Sequence, residues 1–115
     1  MENKPYVIGL DLGGTNSVFV FFDADAKIVA STSIRTKGHA DVNEYVACCC
    51  EALRPLIEQV GGIDKIKGMG IGAPNGNYYS GTIEHAPNLE WKGIIPLATL
   101  FSGGLGIPVV LTTDA

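Results

Sequence analysis

Positive charge is scarce in this 115-residue chain: eight Lys and Arg face twelve Asp and Glu, a formal net charge of -4. That is the wrong sign for a domain that grips nucleic acid or an anionic membrane surface. Charge of either sign is sparse, 17% against a usual ~25%, yet the apolar share of 46% is ordinary, which excludes wholesale disorder. Cysteine occurs only as the triplet Cys48-Cys49-Cys50. Neighbours on a helix lie about 100° apart, so the three cannot converge on one metal or form long-range disulfides together. Reduced thiols in a cytoplasmic protein are the expectation. No signal peptide is expected either, because Met1-Glu2-Asn3-Lys4 has mixed charge and the apolar run behind it meets Asp11 too soon. The uncharged stretch 93–113 is broken by Pro96, Pro108 and the cluster Gly103, Gly104, Gly106. The pieces are about ten residues long, short of the roughly twenty that span a bilayer.

What the chain has in excess is glycine, 15 residues, nearly twice the average ~7% share. Many backbone positions therefore need a positive φ or a close approach. The length suits one domain. Three extended segments open it: Tyr6–Leu12, Ser17–Asp23 and Lys27–Thr36, the last with Ile28, Ala30, Thr32 and Ile34 on one face. Links this short allow only hairpins, so the opening is a three-stranded antiparallel meander. The period then changes to that of an amphipathic helix from Val42 to Val60, with Asp41 as N-cap, Glu44 as its capping-box partner and Gly61-Gly62 as its end. Pro55 should kink or split it near Arg54. A glycine-rich strand at Ile66–Ala73 leads to a turn at Pro74-Asn75-Gly76-Asn77 and a small hairpin through Tyr78-Tyr79 and Thr82-Ile83-Glu84. A short helix from Pro96 to Phe101 precedes a strand at Ile107–Thr112. Strands separated by helices should pair with one another in parallel or mixed fashion, giving an α/β domain with a mixed sheet.

Leu10-Asp11-Leu12-Gly13-Gly14-Thr15-Asn16 is the most informative stretch. Successive N–H groups in a glycine turn can form an anion-binding concavity, and Thr15 adds a hydroxyl. Asp11 cannot attract phosphate, and beside one it makes sense as a partner of Mg²⁺, directly or through water. The plainer alternative is a Gly-Gly hairpin turn beside a strand-end Asp, which leaves unexplained a carboxylate close to the sheet interior. A Walker A loop is absent. Gly68-x-Gly70-x-x-Ala73 matches the loose dinucleotide fingerprint, but that requires a helix at once, and Pro74-Asn75-Gly76-Asn77 follows instead. Asn88 either bonds substrate or caps a turn after Pro87. Trp91 reads as a packing anchor, His39 and His85 as structural or exposed, and at most one of Tyr78 and Tyr79 can line a cleft.

The Asp11–Asn16 stretch resembles the first phosphate loop of the actin/hexokinase ATPase superfamily, a ribonuclease H-like fold. With Gly70-Ile71-Gly72-Ala73-Pro74, Ala86-Pro87-Asn88-Leu89 with Trp91, and Leu105–Val110 ending in Asp114-Ala115, it resembles the N-terminal half of a ROK-family sugar kinase of the bacterial glucokinase type. The resemblance implies that residues 1–115 are the N-terminal lobe of a two-domain enzyme whose C-terminal lobe is absent from this chain. It implies ATP-dependent phosphorylation of a hexose, glucose first, by the full-length protein, with the fragment alone inactive. Asp114 would be the general base. Asp11, Gly13, Gly14, Thr15 and Asn16 would face phosphate and Mg²⁺, and Asn75, Gly76, Asn88, Thr113 and Asp114 the sugar. Partners would be ATP and a hexose, with no nucleic acid and no membrane, in a cytoplasmic homo-oligomer, a dimer. Zinc would belong to the missing lobe. Thr113 stands where the family usually has Asn, and Asn75-Gly76 where many relatives have Gly directly after the proline, which keeps an N-acetylhexosamine or other hexose kinase open. A sugar-sensing regulator is the other alternative; its usual helix-turn-helix has no room before Tyr6.

Overall fold

The computed structural model describes residues 4–86, 89, 91 and 93–113. Alternation sets the first strands. In β1 (Tyr6–Leu12) Ile8, Leu10 and Leu12 point inward, and in β2 (Asn16–Phe22) Ser17, Phe19 and Phe21 do so. With β3 (Ile28–Arg35) they form the expected antiparallel meander. Asp23 Oδ1 holds the second turn by accepting from the N–H groups of Asp25 and Lys27. Ile28 does not join Ala30, Thr32 and Ile34 on the inner face. It is 64% exposed, because the β2–β3 register slips between Phe21 and Phe22.

Helix α1 (Val42–Gln59) starts where its cap requires: Asp41 Oδ1 accepts from Glu44 N–H at 2.9 Å, and Glu44 Oε2 accepts from Ala40 N–H. It is not split at Pro55. The ring costs one backbone donor, while Leu53 and Ile57 on either side are anchored in the core. Gly61 and Gly62, at φ +112° and +103°, end it.

β4 (Ile66–Ala73) lies parallel to β1, and β8 (Val109–Thr113) parallel to β4, giving the order β3-β2-β1-β4-β8. The expected pairing of the third strand with the fourth does not occur. β3 already has β2 as neighbour, and β4 takes the free edge of β1. Between β4 and β8 the chain makes a second, antiparallel sheet from β5 (Gly76–Asn77), β6 (Thr82–Glu84) and β7 (Ile94–Ile95). Tyr78-Tyr79 is therefore the hairpin's turn and not its strand. β7 had no visible signal, being two residues long. Helix α2 (Leu97–Leu105) runs past Phe101 and carries Gly103 and Gly104 inside it. A Cβ on Gly104 would stand 2.9 Å from Cys50 Sγ, so this glycine lets α2 lie against α1.

Both helices cover one face of the five-stranded sheet, where Leu12, Phe19, Phe21, Leu53 and Phe101 are all fully buried. Each such side chain contributes about 1.5–3 kcal/mol through burial. No described helix covers the opposite face. Val7, Val18 and Val110 are 38–56% exposed there. No described helix is long and apolar enough to cross a membrane.

Candidate functional site

β1, β4 and β8 are adjacent and parallel, so Leu12, Ala73 and Thr113 end at one edge of the sheet. That is the edge where open α/β sheets bind ligands. The topology thus gathers the glycine turn, the loop after Pro74 and the end of β8. These are three stretches that sequence alone could only place in order.

The glycine turn is closed by Gly13 N–H donating to Asn16 O at 3.0 Å. A Cβ on Gly13 would sit 2.8 Å from that same oxygen, so the turn requires glycine there. Thr36 N–H donates to Thr15 O at 2.8 Å. Among the described residues the N–H groups of Gly14 and Thr15 and the Thr15 hydroxyl have no partner, and Thr15 and Asn16 are exposed. Asp11 is exposed as well, on the uncovered face between Val18 and Gly72. This corrects the expectation of a carboxylate close to the sheet interior: Asp11 alternates outward while Leu10 and Leu12 take the core. An exposed carboxylate is a hard oxygen donor of the kind Mg²⁺ accepts. No group of three or more His, Cys, Asp or Glu side chains that could hold a metal exists among the described residues, so Asp11 offers one ligand and not a cage.

The second loop is built differently. Asn75 adopts φ +55°, and its Nδ2 donates to the carbonyls of Glu84 and His85 at 3.0 and 3.2 Å, which leaves Oδ1 as the amide's acceptor. Asn77 Nδ2 donates to Glu84 Oε2, while Asn77 Oδ1 accepts from Tyr79 and Ser80 N–H. Thr82 completes the set by donating to Glu84 and pairing with Ser80. Sequence reading missed this network; the spaced polar residues from Asn75 to Glu84 were its only trace. Gly76 has a packing reason to be glycine, since a Cβ would reach within 2.6 Å of Thr112 O. At the third end, β8 pairs Thr113 with Ala73 through the backbone. The Thr113 side chain, Asp114 and Asn88 lie outside the described residues.

Behind the site, Ser17 Oγ shares hydrogen bonds with Thr36 Oγ1 at 2.7 Å and Tyr45 OH at 2.6 Å. Burial pushes the Tyr45 phenol far above its ordinary range and the Cys49 thiol up to about 12. Trp91 is the expected packing anchor, its ring 4.7 Å from that of Tyr45, with no partner for Nε1 among the described residues. His39 has one acidic neighbour that the sequence did not reveal, Glu44 at 3.8 Å. Tyr78 and Tyr79 are both exposed at the hairpin tip.

The architecture is that of the actin-like ATPase domains, with an antiparallel meander continued by parallel strands in one sheet. Within that class the chain belongs to the ROK family, whose sequence pattern matches residues 7–115. It is similar to a ROK family glucokinase from Streptomyces griseus, solved in complex with glucose and AMPPNP, at 29% identity and a TM-score of 0.77, over 96% of this chain and 33% of that one. A ROK hexokinase from Thermus thermophilus matches at 25% identity and a TM-score of 0.75, over 96% of this chain and 35% of the other. A ROK family transcriptional regulator, homolog of the E. coli MLC protein, shares the fold at 16% identity and a TM-score of 0.78, over 98% of this chain and 28% of its own. The chain spans about a third of the length of these relatives.

Proposed function

We propose that the whole protein is an ATP-dependent hexose kinase, with glucose as the first substrate to try, and that this chain forms its N-terminal lobe. The carrying observation is the convergence of the glycine turn, the loop after Pro74 and the end of β8 at one sheet edge. The likeness to a glucokinase solved with glucose and AMPPNP supports it. In this reading the free N–H groups of Gly14 and Thr15, with the Thr15 hydroxyl, receive phosphate oxygens, and Gly13 and Asn16 hold the turn's shape. Asp11 holds Mg²⁺, directly or through water. That ion, when bound, supplies charge neutralisation at the phosphates.

The hexose lies against Asn75 Oδ1, Asn88 and Thr113. Asp114 is the general base. A sugar hydroxyl is a poor nucleophile near neutral pH, and a carboxylate in reach takes its proton as the oxygen–phosphorus bond forms and ADP departs. Alignment supplies much of the remaining acceleration, which is why the sugar-bearing and phosphate-bearing loops share one rigid sheet. Residues 1–115 alone would be silent.

The test is sugar-dependent ADP release by the full-length protein on glucose, mannose and the N-acetylated hexosamines. Glucose turnover is expected, with Asp114→Asn lowering kcat by about 10²–10⁴-fold and sugar affinity far less. Turnover on no sugar would refute the reading, and preference for an N-acetylated sugar would move the substrate to that class. A regulator is the second reading, favoured by the shared fold with the ROK transcriptional regulator. Sugar binding without turnover would select it.

A further inference from the structure

The hairpin that carries Asn75 is laddered to β7 through β6, and it touches β8 and α2 closely at two glycines of different kinds. At Gly76 a Cβ would come 2.6 Å from Thr112 O and 2.6 Å from Leu111 Cδ2, against 3.4–4 Å for ordinary contact. Thr112 cannot retreat freely, because it is laddered against Gly72 in the parallel sheet. At Gly81, with φ +69°, a Cβ would meet only the Ala98 methyl, at 2.9 Å, and the Gly81 carbonyl accepts from Ala98 N–H at the start of α2. Inside the hairpin the Asn75, Asn77 and Glu84 bonds hold the loop as one stiff piece. Its placement is therefore decided where it touches its neighbours. Of the two glycine contacts, that of Gly76 falls on β8, one residue before Thr113 and two before Asp114 in sequence.

We propose that Gly76 is a positioning residue: its backbone lies directly on the Thr112 carbonyl and so fixes the end of β8 relative to the Asn75 loop. It acts through that strand and not by touching the sugar. The proposal rests on the kinase reading for its chemical consequence, since Thr113 and Asp114 are the groups so placed. A methyl at Gly76 forces the contact open by roughly 0.8 Å to reach ordinary separation. Displacements of about 1 Å at a reacting group can cost about 10²-fold in rate.

The experiment compares Gly76→Ala with Gly81→Ala in the full-length protein. Both variants disturb the hairpin, but only the first pushes on β8. At saturating sugar, Gly76→Ala is expected to lower kcat about 10–100-fold with sugar KM changed less than about threefold, while Gly81→Ala keeps kcat within about twofold. Amide hydrogen exchange at Thr112 and Thr113 should quicken in Gly76→Ala alone. If Gly76→Ala does not fold, Gly76→Ala/Leu111→Val removes the Cδ2 half of the collision, leaves the oxygen half, and carries the same expectations. A raised sugar KM at unchanged kcat would make Gly76 a sugar contact and overturn the proposal. Equal loss of turnover in the two glycine variants would overturn it too. If the unaltered protein phosphorylates no sugar, the kinase reading fails by itself. The exchange comparison then decides the clamp, and equal exchange at Thr112 and Thr113 in both variants defeats it.

Discussion

Between Leu12 and Asn16 the chain reverses on backbone bonds, Gly13 N–H to Asn16 O, with Thr15 O held from outside by Thr36 N–H. Between Ala73 and Thr82 it reverses inside a web of side-chain bonds centred on Asn75, Asn77 and Glu84. The first turn spends few of its polar groups on itself, so among the described residues the Gly14 and Thr15 N–H groups, the Thr15 hydroxyl and the Asp11 carboxylate have no partner. The second spends most of its amide, carboxylate and Ser and Thr hydroxyl groups on itself. A turn shaped by glycine sterics can keep its donors for a ligand, whereas one shaped by hydrogen bonds mostly cannot. The hairpin thus serves the site through where it stands, with Asn75 Oδ1 and the exposed tip hydroxyls of Tyr78 and Tyr79 as its remaining polar groups.

The largest stability effect should fall on the self-bonded turn. Asn77→Ala removes a donor to the Glu84 carboxylate and the acceptor of two backbone N–H groups. A net hydrogen bond is worth about 0.5–1.5 kcal/mol, and somewhat more to a charged group. A loss of about 2 kcal/mol, read as a lower urea midpoint at unchanged m-value, is the expected outcome. A midpoint that does not move would mean the web is decorative and the contrast between the turns is false.

Alkaline pH should act instead on the support beneath the glycine turn. Ser17 ties Thr36, whose N–H anchors Thr15, to Tyr45, one helical turn from Cys49. An unfolded thiol ionises near 9, while buried Cys49 keeps its proton to about 12. Above pH 9 the unfolded chain therefore binds fewer protons than the folded one. The contribution is fully present below about pH 9 and is lost as pH rises toward 12, at up to about 1.4 kcal/mol per unit for each such group. Tyr45, shifted in the same direction, adds to the slope. Unfolding midpoints measured from pH 8 to 11 should fall, and Cys49→Ala should flatten the descent. A flat profile in the unaltered chain would show that burial does not hold these protons.

The sequence made the meander, α1 and its Asp41 cap legible because each follows from local periodicity or a local cap. The glycine turn was legible for the same reason: Gly13-Gly14-Thr15 is compact and its chemistry is local. What escaped detection depends on partners distant in sequence. β4 finds the edge of β1 and not of β3, a choice no local pattern encodes. Gly103 and Gly104 read as helix breakers, yet both lie inside α2, where Gly104 packs against Cys50 of α1. Gly76 reads as turn punctuation until Thr112, 36 positions on, explains why nothing larger fits. Asp11 reads as close to the sheet interior because Leu10 and Leu12 flank it, whereas alternation turns it to the exposed face.

The smallest change is also the sharpest discriminator between the two turns. Thr15 is exposed and its hydroxyl has no partner among the described residues, so Thr15→Ala removes nothing the fold uses. Its stability should stay within about 0.5 kcal/mol of the parent, as for other surface substitutions. In the full-length protein, however, the lost donor should weaken nucleotide affinity by about 5–10-fold, the worth of one hydrogen bond to a charged oxygen. Titration calorimetry with a non-hydrolysable ATP analogue, run beside a urea curve, measures both quantities on one preparation. Stable protein with weakened binding is the signature of a group held in reserve. Unchanged affinity would reduce the glycine turn to the plain hairpin connection that its sequence also permits, and the contrast with the self-bonded hairpin would then describe two scaffolds and no ligand.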